Sequence, residues 1–94
     1  MTYLPKKITI AGKTYVVKRR NRITVNGARC WGSCDISNGI IEIATRGVSL
    51  DHQLETLLHE SLHAIEEHID ISLKEEDLTK LSKALYALLK DNLK

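Results

Sequence analysis

The chain has 94 residues, of which 43% are hydrophobic and 28% charged, and its net charge at pH 7 is +2. This length predicts one globular domain over residues 1–94, because a second domain would lack a workable core. No apolar run approaches the roughly 20 residues of a membrane helix. The start, MTYLPKKITI, also lacks the apolar stretch of a signal peptide. We therefore expect a cytoplasmic protein with no membrane partner.

The charges are divided unevenly between the two halves of the chain. Residues 1–47 carry nine Lys and Arg against two Asp and Glu, a net charge of +7. Residues 48–94 carry five Lys against ten Asp and Glu, a net charge of −5. A basic half can mark a nucleic-acid surface. Because no nucleic-acid-binding motif or run of stacking aromatics accompanies it, we favour a solvated sheet face over a nucleic-acid partner.

The first half of the chain is built from short β-branched runs separated by turn signals. Asn26-Gly27 is the strongest of these signals, because a two-residue hairpin needs positive φ at both positions. We expect an antiparallel β-meander over residues 1–47. The runs are ITI (8–10), TYVV (14–17), ITV (23–25) and IIEI (40–43).

The second half contains no Gly or Pro and is rich in Leu, Ala, Glu and Lys, which predicts helix. Ser49 or Asp51 is expected to cap a first helix that ends near Ile69, and Ser72 to cap a second helix over about 74–91. The predicted class is therefore α+β. At about 100° per residue, the apolar faces that should pack are Leu54, Leu58, Leu62, Ile65 and Ile69 on the first helix, and Leu78, Leu81, Leu85, Leu88 and Leu89 on the second.

The sequence HESLH, residues 59–63, places His59 and His63 one helical turn apart, with Glu60 beside the first. Two imidazoles at this spacing can each direct a nitrogen to one zinc ion. A neighbouring carboxylate can take a proton from a water activated by the metal. The pattern predicts His59 and His63 as zinc ligands and Glu60 as the catalytic base. Without metal, His59 and His63 would be ordinary histidines at the boundary of the core, and Glu60 would be a solvated charge.

A hydrolytic zinc site needs a third protein ligand. The longer HExxHxxGxxH pattern is excluded, since Glu66 and Ile69 occupy its Gly and third His positions. Glu66 shares the histidine face and is expected to support His63 by a hydrogen bond, or else to be a surface charge. At the start of the second helix, Glu75 and Asp77 are both placed to reach the ion, and helical geometry does not decide between them.

HESLHAI followed by EEDLTKLSKALYALLKDN resembles the small phage and prophage zinc metallopeptidases related to the ImmA/IrrE-like group, which are of the gluzincin type. In that family a second helix bears a glutamate in an ExxAxxFA-like pattern, whose spacing Glu75, Leu78 and Leu81 match. The resemblance implies a minimal zincin-like fold, a Zn2+ cofactor, a peptide or protein substrate and Glu75 as third ligand. It also implies that Ile40–Ala44 is an edge strand beside the cleft, although IIEIA also fits a buried strand.

Two other functions are weighed against a peptidase. Cys30 and Cys34 with His59 and His63 would form a closed Cys2His2 zinc centre, which leaves no position for water. A turn between the cysteines would bring them together, although reduced thiols are the default. The second alternative is a non-catalytic phage-type module that binds peptide or DNA. Trp31, the only tryptophan, is expected either to line a cleft or to pack at the sheet edge.

Overall fold

Residues 3–93 are described by a computed structural model, in which six strands precede two helices. The predicted α+β class, with the strands first and both helices last, is confirmed. The helices are α1 (Leu50–Ile69) and α2 (Glu75–Asn92). The strands are β1 (Lys7–Ile10), β2 (Lys13–Arg20), β3 (Ile23–Val25), β4 (Ala28–Cys30), β5 (Gly32–Asp35) and β6 (Ile40–Ala44).

Two tight turns have the dihedral angles that a two-residue hairpin requires. Asn26 and Gly27, between β3 and β4, have φ of 52° and 79°, as the sequence predicts. Ala11 and Gly12, between β1 and β2, have φ of 49° and 81°. Both hairpins therefore turn through the left-handed region, which matches the right-handed twist of their strands.

The main sheet contains four strands in the order β1-β2-β6-β5, and β3 and β4 form a separate two-stranded ribbon. The pair β2–β6 is parallel, with Val16 opposite Ile40 and Arg20 opposite Ala44. The other pairs are antiparallel, so the sheet is mixed and departs in this pair from a simple meander. The parallel pair arises because β5 does not pair with β2 directly. The strand β6 lies between them, antiparallel to β5 and parallel to β2.

The prediction that Ile40–Ala44 forms an edge strand is wrong. This segment is β6, which is hydrogen-bonded to β2 on one side and β5 on the other. Ile41 and Ile43 are fully buried, as the alternative interpretation of IIEIA expects. Of the two edge strands, β1 and β5, the one with the more extensive contact to α1 is β5.

The hydrophobic core lies between one face of the main sheet and α1. Tyr15 and Val17 of β2 alternate with exposed neighbours and join Ile41 and Ile43 in one buried cluster with leucines of α1. The other face of the sheet is open to solvent, where Val16 is 40% exposed. One layer of helix therefore covers one side of one sheet.

The helix α1 has the predicted bounds and cap. Ser49 is its N-cap, and the Ser49 hydroxyl accepts a hydrogen bond from the His52 backbone N–H at 3.2 Å. The helix ends at Asp70, which adopts the left-handed conformation with φ of 56°. Its twenty residues include all four histidines of the chain, among them His59 and His63.

The face of α1 that packs on the sheet is not the predicted stripe of large apolar residues. Leu54 is buried, but Ile65 and Ile69 are 37% and 56% exposed. Small or polar residues take their place against β5 and β6, because they let the helix approach the strands closely. The buried residues of α1 are Gln53, Leu54, Thr56, Leu57, Glu60, Ser61 and Ala64.

The helix α2 begins within one residue of its predicted start, but Ser72 is not its cap. Lys74 occupies the N-cap position and makes no side-chain capping bond. Leu78 and Ser82 are the buried residues of α2, whereas Leu81 and Leu88 are exposed. Only part of the predicted leucine face therefore packs.

Between residues 3 and 93, neither helix is long and apolar enough to cross a membrane.

Candidate metal centre

His59 and His63 lie one turn apart on α1, with their ring centroids 5.0 Å apart. The first turn of α2 brings the Glu75 carboxylate against both rings. Its Oε1 lies 2.7 Å from His59 Nε2, and its Oε2 lies 3.2 Å from His63 Nε2. One carboxylate therefore contacts the same ring nitrogen of both histidines, and three donor groups of the kind that zinc prefers converge at one point.

Glu66 contacts His63 from the other side of its ring. Glu66 Oε1 lies 3.2 Å from His63 Nδ1, and Glu66 Oε2 accepts a hydrogen bond from the Leu73 backbone N–H at 2.6 Å. Glu66 thus fixes the orientation of the His63 ring and also anchors the loop that leads to α2. A carboxylate in this position is a common support for a metal-binding histidine.

Glu60 is buried between α1 and the edge strand β5. Only 8% of its surface is exposed. Burial raises the pKa of its carboxyl above the ordinary value, an effect that His59 and His63 partly offset and Glu75 reinforces. Potential ligand atoms of Glu60 and both histidines lie within 4.8 Å of one another. The carboxylate is therefore held beside the histidines in surroundings that favour proton uptake.

The other residues considered as ligands lie elsewhere. Asp77 is exposed, and across residues 3–93 no ion pair joins it to either histidine. In the described chain, the residues whose potential ligand atoms all lie within 4.8 Å of one another are His59, Glu60 and His63. This group contains neither Cys30 nor Cys34, and both cysteines are free thiols. The turn that would bring the cysteines together is not formed, since Gly32 and Ser33 belong to β5.

His68 and Tyr86 face away from the candidate centre. His68 Nε2 lies 3.2 Å from the Tyr15 hydroxyl at the sheet. The Tyr86 hydroxyl donates to Asp51, near the start of α1. Both side chains therefore join elements of the fold instead of adding to the centre.

Two clefts meet at Glu60. The first has a volume of about 410 Å³ and includes Trp31 and His52 in its walls, so Trp31 lines a cleft. The second has a volume of about 660 Å³. The edge strand β5 contributes Gly32 to the first and Cys34 to the second. Together the clefts follow this strand past the histidines.

No family model, curated protein or solved structure matches this chain. The identity of a metal that fits the site is therefore inferred from the chemistry of the side chains. Two imidazole nitrogens and one carboxylate oxygen suit zinc, whereas Ca2+ and Mg2+ sites are built from oxygen ligands. The donor set of His59, His63 and Glu75 therefore fits Zn2+.

Sequence reasoning missed Gly32. A Cβ at this position would lie 2.7 Å from Thr56 Cγ2 and 3.1 Å from Glu60 Cγ. The glycine therefore allows α1 to approach β5 closely enough to bury Glu60. The available signal was a glycine between two short β-forming runs, which often marks close backbone approach.

His52 was also missed. It lies seven residues before His59, which puts both on the same face of α1 at about 3.6 residues per turn. Its ring centroid is 4.7 Å from that of Trp31. The helical spacing alone was enough to place His52 on the cleft side.

Proposed function

We propose that the protein is a zinc-dependent metallopeptidase in which His59, His63 and Glu75 hold the ion. The observation that carries the proposal is the approach of one Glu75 carboxylate to Nε2 of both histidines, at 2.7 and 3.2 Å. Bound zinc supplies Lewis acidity towards a water and a peptide carbonyl. Glu66 supports the position of His63 through Nδ1.

Glu60 acts as general base and then as general acid. Its carboxylate takes one proton from the attacking water, whose oxygen forms a bond to the peptide carbonyl carbon. When the C–N bond breaks, the same carboxyl returns the proton to the leaving amine. Contact of α1 with β5 keeps this side chain beside the histidines and away from bulk water.

The proposed substrate is an extended peptide or an exposed protein segment. The outer edge of β5 is not paired in the main sheet, and both clefts border this strand. A peptide can add to such an edge by main-chain hydrogen bonds while its side chains enter the clefts. The proposed compartment is the cytoplasm, which agrees with the free thiols of Cys30 and Cys34.

Metal content of purified variants tests the ligand set. We expect about one zinc per chain in the wild type and strongly reduced zinc in His63→Ala and Glu75→Gln, because each variant removes one of three ligands. Asp77→Asn is the matched control and should keep its zinc. Zinc lost from Asp77→Asn but kept in Glu75→Gln would exclude Glu75, and a zinc-free wild type would end the proposal.

Hydrolysis of a fluorogenic peptide library tests the role of Glu60. Glu60→Gln should bind zinc normally but lose about 100-fold or more of the activity, because the amide cannot accept the proton. Glu76→Gln, on the exposed side of α2, is the control and should remain active. Full activity in Glu60→Gln would show that another group is the base.

The closed Cys2His2 centre makes a different prediction for the cysteines. A variant with both Cys30→Ser and Cys34→Ser should keep its zinc if Glu75 is the third ligand. Loss of zinc from this variant, with the fold intact by circular dichroism, would favour a structural centre over a peptidase.

A further inference from the structure

All arginines of the chain lie at one end of the molecule. Arg20 ends β2 opposite Ala44, the last residue of β6, and its carbonyl accepts a hydrogen bond from the Thr45 N–H at 2.8 Å. The junction of β4 and β5 joins the same end, since the Ala44 N–H donates to the Trp31 carbonyl at 2.9 Å. The five arginines are Arg19, Arg20, Arg22, Arg29 and Arg46. We name these five residues together with Trp31 the arginine end.

The guanidinium groups of the arginine end are exposed and largely without acidic partners. Every one of the five side chains is on the surface. Arg20 pairs with Glu42, and among residues 3–93 no other arginine has a carboxylate within ion-pair distance. Asp35, the other acidic residue of the sheet, lies opposite Ile40, at the far end of β6. The arginines therefore give this end of the sheet a net positive surface, and the carboxylates nearest to Trp31 are those of the cleft it lines, Glu55, Glu60 and Glu75.

Trp31 adds an exposed aromatic side chain to this surface. Trp31 is 45% exposed. The Arg29 guanidinium carbon lies 4.7 Å from the centroid of the Trp31 ring, and the His52 ring centroid also lies 4.7 Å from it. Arginine differs from lysine in binding phosphate through two parallel N–H donors and in stacking on planar groups. The side chains of the arginine end are therefore suited to a ligand that carries both phosphates and unpaired bases.

We propose that the arginine end binds single-stranded nucleic acid, with arginines on the phosphates and a base stacked on Trp31. Arg29 is itself exposed, so its guanidinium can move to a phosphate while a base takes its place against the indole. A single strand is favoured over a duplex because its bases are free to stack on a side chain. The arginines lie outside both clefts that meet at Glu60, whereas Trp31 lines the first of them, so a bound strand would meet the proposed peptide site at this residue. None of the proposed zinc ligands takes part in the binding.

Trp31 provides a direct measurement, since it is the only tryptophan. Titration with an oligo(dT) strand at low salt should quench the intrinsic fluorescence in a saturable way. The affinity should fall with NaCl, with a log–log slope of about −0.7 for each phosphate contacted. Absence of saturable binding at about 50 mM NaCl would overturn the proposal.

Matched variants separate the arginine end from net charge. With a labelled oligo(dT), a triple variant of Arg19→Gln, Arg22→Gln and Arg46→Gln should bind at least tenfold more weakly, with a slope shallower by about 2. The control carries Lys7→Gln, Lys74→Gln and Lys80→Gln, which remove the same charge elsewhere and should change affinity much less. Equal weakening in both variants would contradict a specific surface.

The stacking role is tested by Trp31→Ala and Trp31→Phe. The alanine variant should bind about tenfold more weakly or worse, whereas phenylalanine should retain most of the affinity because it keeps an aromatic face. If Trp31→Ala fails to fold by circular dichroism, equal affinity of Trp31→Leu and Trp31→Phe would still overturn stacking. Equal affinity for a duplex would likewise reject the single-strand assignment. Equal affinity for polyglutamate would reject it in favour of an acidic polypeptide.

Discussion

Gly32 sets how closely α1 approaches the edge strand of the sheet. A methyl group at this position would lie 2.7 Å from Thr56 Cγ2 and 3.1 Å from Glu60 Cγ, so the Thr56 side chain, the strand or the helix must shift. Gly32→Ala should therefore lower the free energy of unfolding by about 1–3 kcal/mol, the usual cost of overpacking. Urea unfolding measures this loss, and Ser33→Ala at the next position is the control.

A second substitution identifies the clash. Thr56→Ser removes the methyl group nearest to the new Cβ but keeps the hydroxyl that donates to the His52 carbonyl at 2.8 Å. The double variant of Gly32→Ala and Thr56→Ser should therefore recover part of the lost stability, beyond the sum of the single effects. Simple additivity would mean that contact with Thr56 is not the cause.

Cys34 should be unusually slow to react. Burial raises the pKa of its thiol to about 11, and the carboxylates of Glu60 and Asp35 add to the rise. Because the thiolate is the reactive form, alkylation at about pH 8 should be roughly 100-fold slower in the folded protein than in urea. Mass spectrometry of the Cys30→Ser variant with iodoacetamide measures this ratio.

The same shift makes stability depend on pH. The pKa of Cys34 lies above its ordinary value of 9.0, so the folded state holds the proton more tightly. Its contribution to stability is complete below pH 9.0 and is lost as the pH rises through about 11. Equal alkylation rates in folded and unfolded protein would contradict both expectations.

At the scale of elements, the two helices begin in different ways. Ser49 caps α1 through its hydroxyl, whereas α2 begins at Lys74 without a side-chain cap. Ser49→Ala should therefore reduce the free energy of unfolding by about 1 kcal/mol. Ser72→Ala, at the position where the sequence predicted a cap, should change it by less than about 0.5 kcal/mol. Thermal or urea unfolding of the two variants compares them directly, and equal losses would contradict the assignment of the caps.

The elements were largely predictable because their signals are local. Asn26-Gly27 specified its hairpin through backbone dihedral preference alone, and Ser49 marked the start of α1. The buried face of α1 was not predictable from apolar periodicity. Its position depends on a close approach made possible by Gly32 and by the small side chain of Ala64, and a pattern based on hydrophobicity gives small residues little weight.

For the whole molecule, bound zinc should add measurably to stability. The chain of 94 residues has one modest core. An ion that binds only the folded state adds about 2.7 kcal/mol at a free concentration of 100 times Kd. For a domain of this size, that corresponds to a rise in Tm of about 10 °C or more. Calorimetry with and without a chelator measures the rise, which should disappear in His63→Ala. Equal Tm values in both conditions would argue against a metal that binds the native state.

Long-range pairing accounts for what the sequence did not specify. Hairpin turns determine the neighbours β1–β2 and β3–β4, but nothing local brings β6 beside β2 in parallel. The resemblance to a peptidase family therefore assigned the edge beside the cleft to β6, whereas the strand at that edge is β5. The residues of the candidate centre were easier to find, since helical spacing and one short connection bring them together.

The three proposed ligands come from one short stretch of chain, residues 59–75, whereas Glu60 is buried where Gly32 of β5 lies close to α1. In the proposed site, the residues that would hold zinc and the packing that positions the proposed base thus have separate structural origins. A substitution confined to β5 is therefore expected to impair the proposed hydrolysis without removing a proposed zinc ligand. Changes in the sheet and changes in the two helices would thus alter different parts of the proposed site.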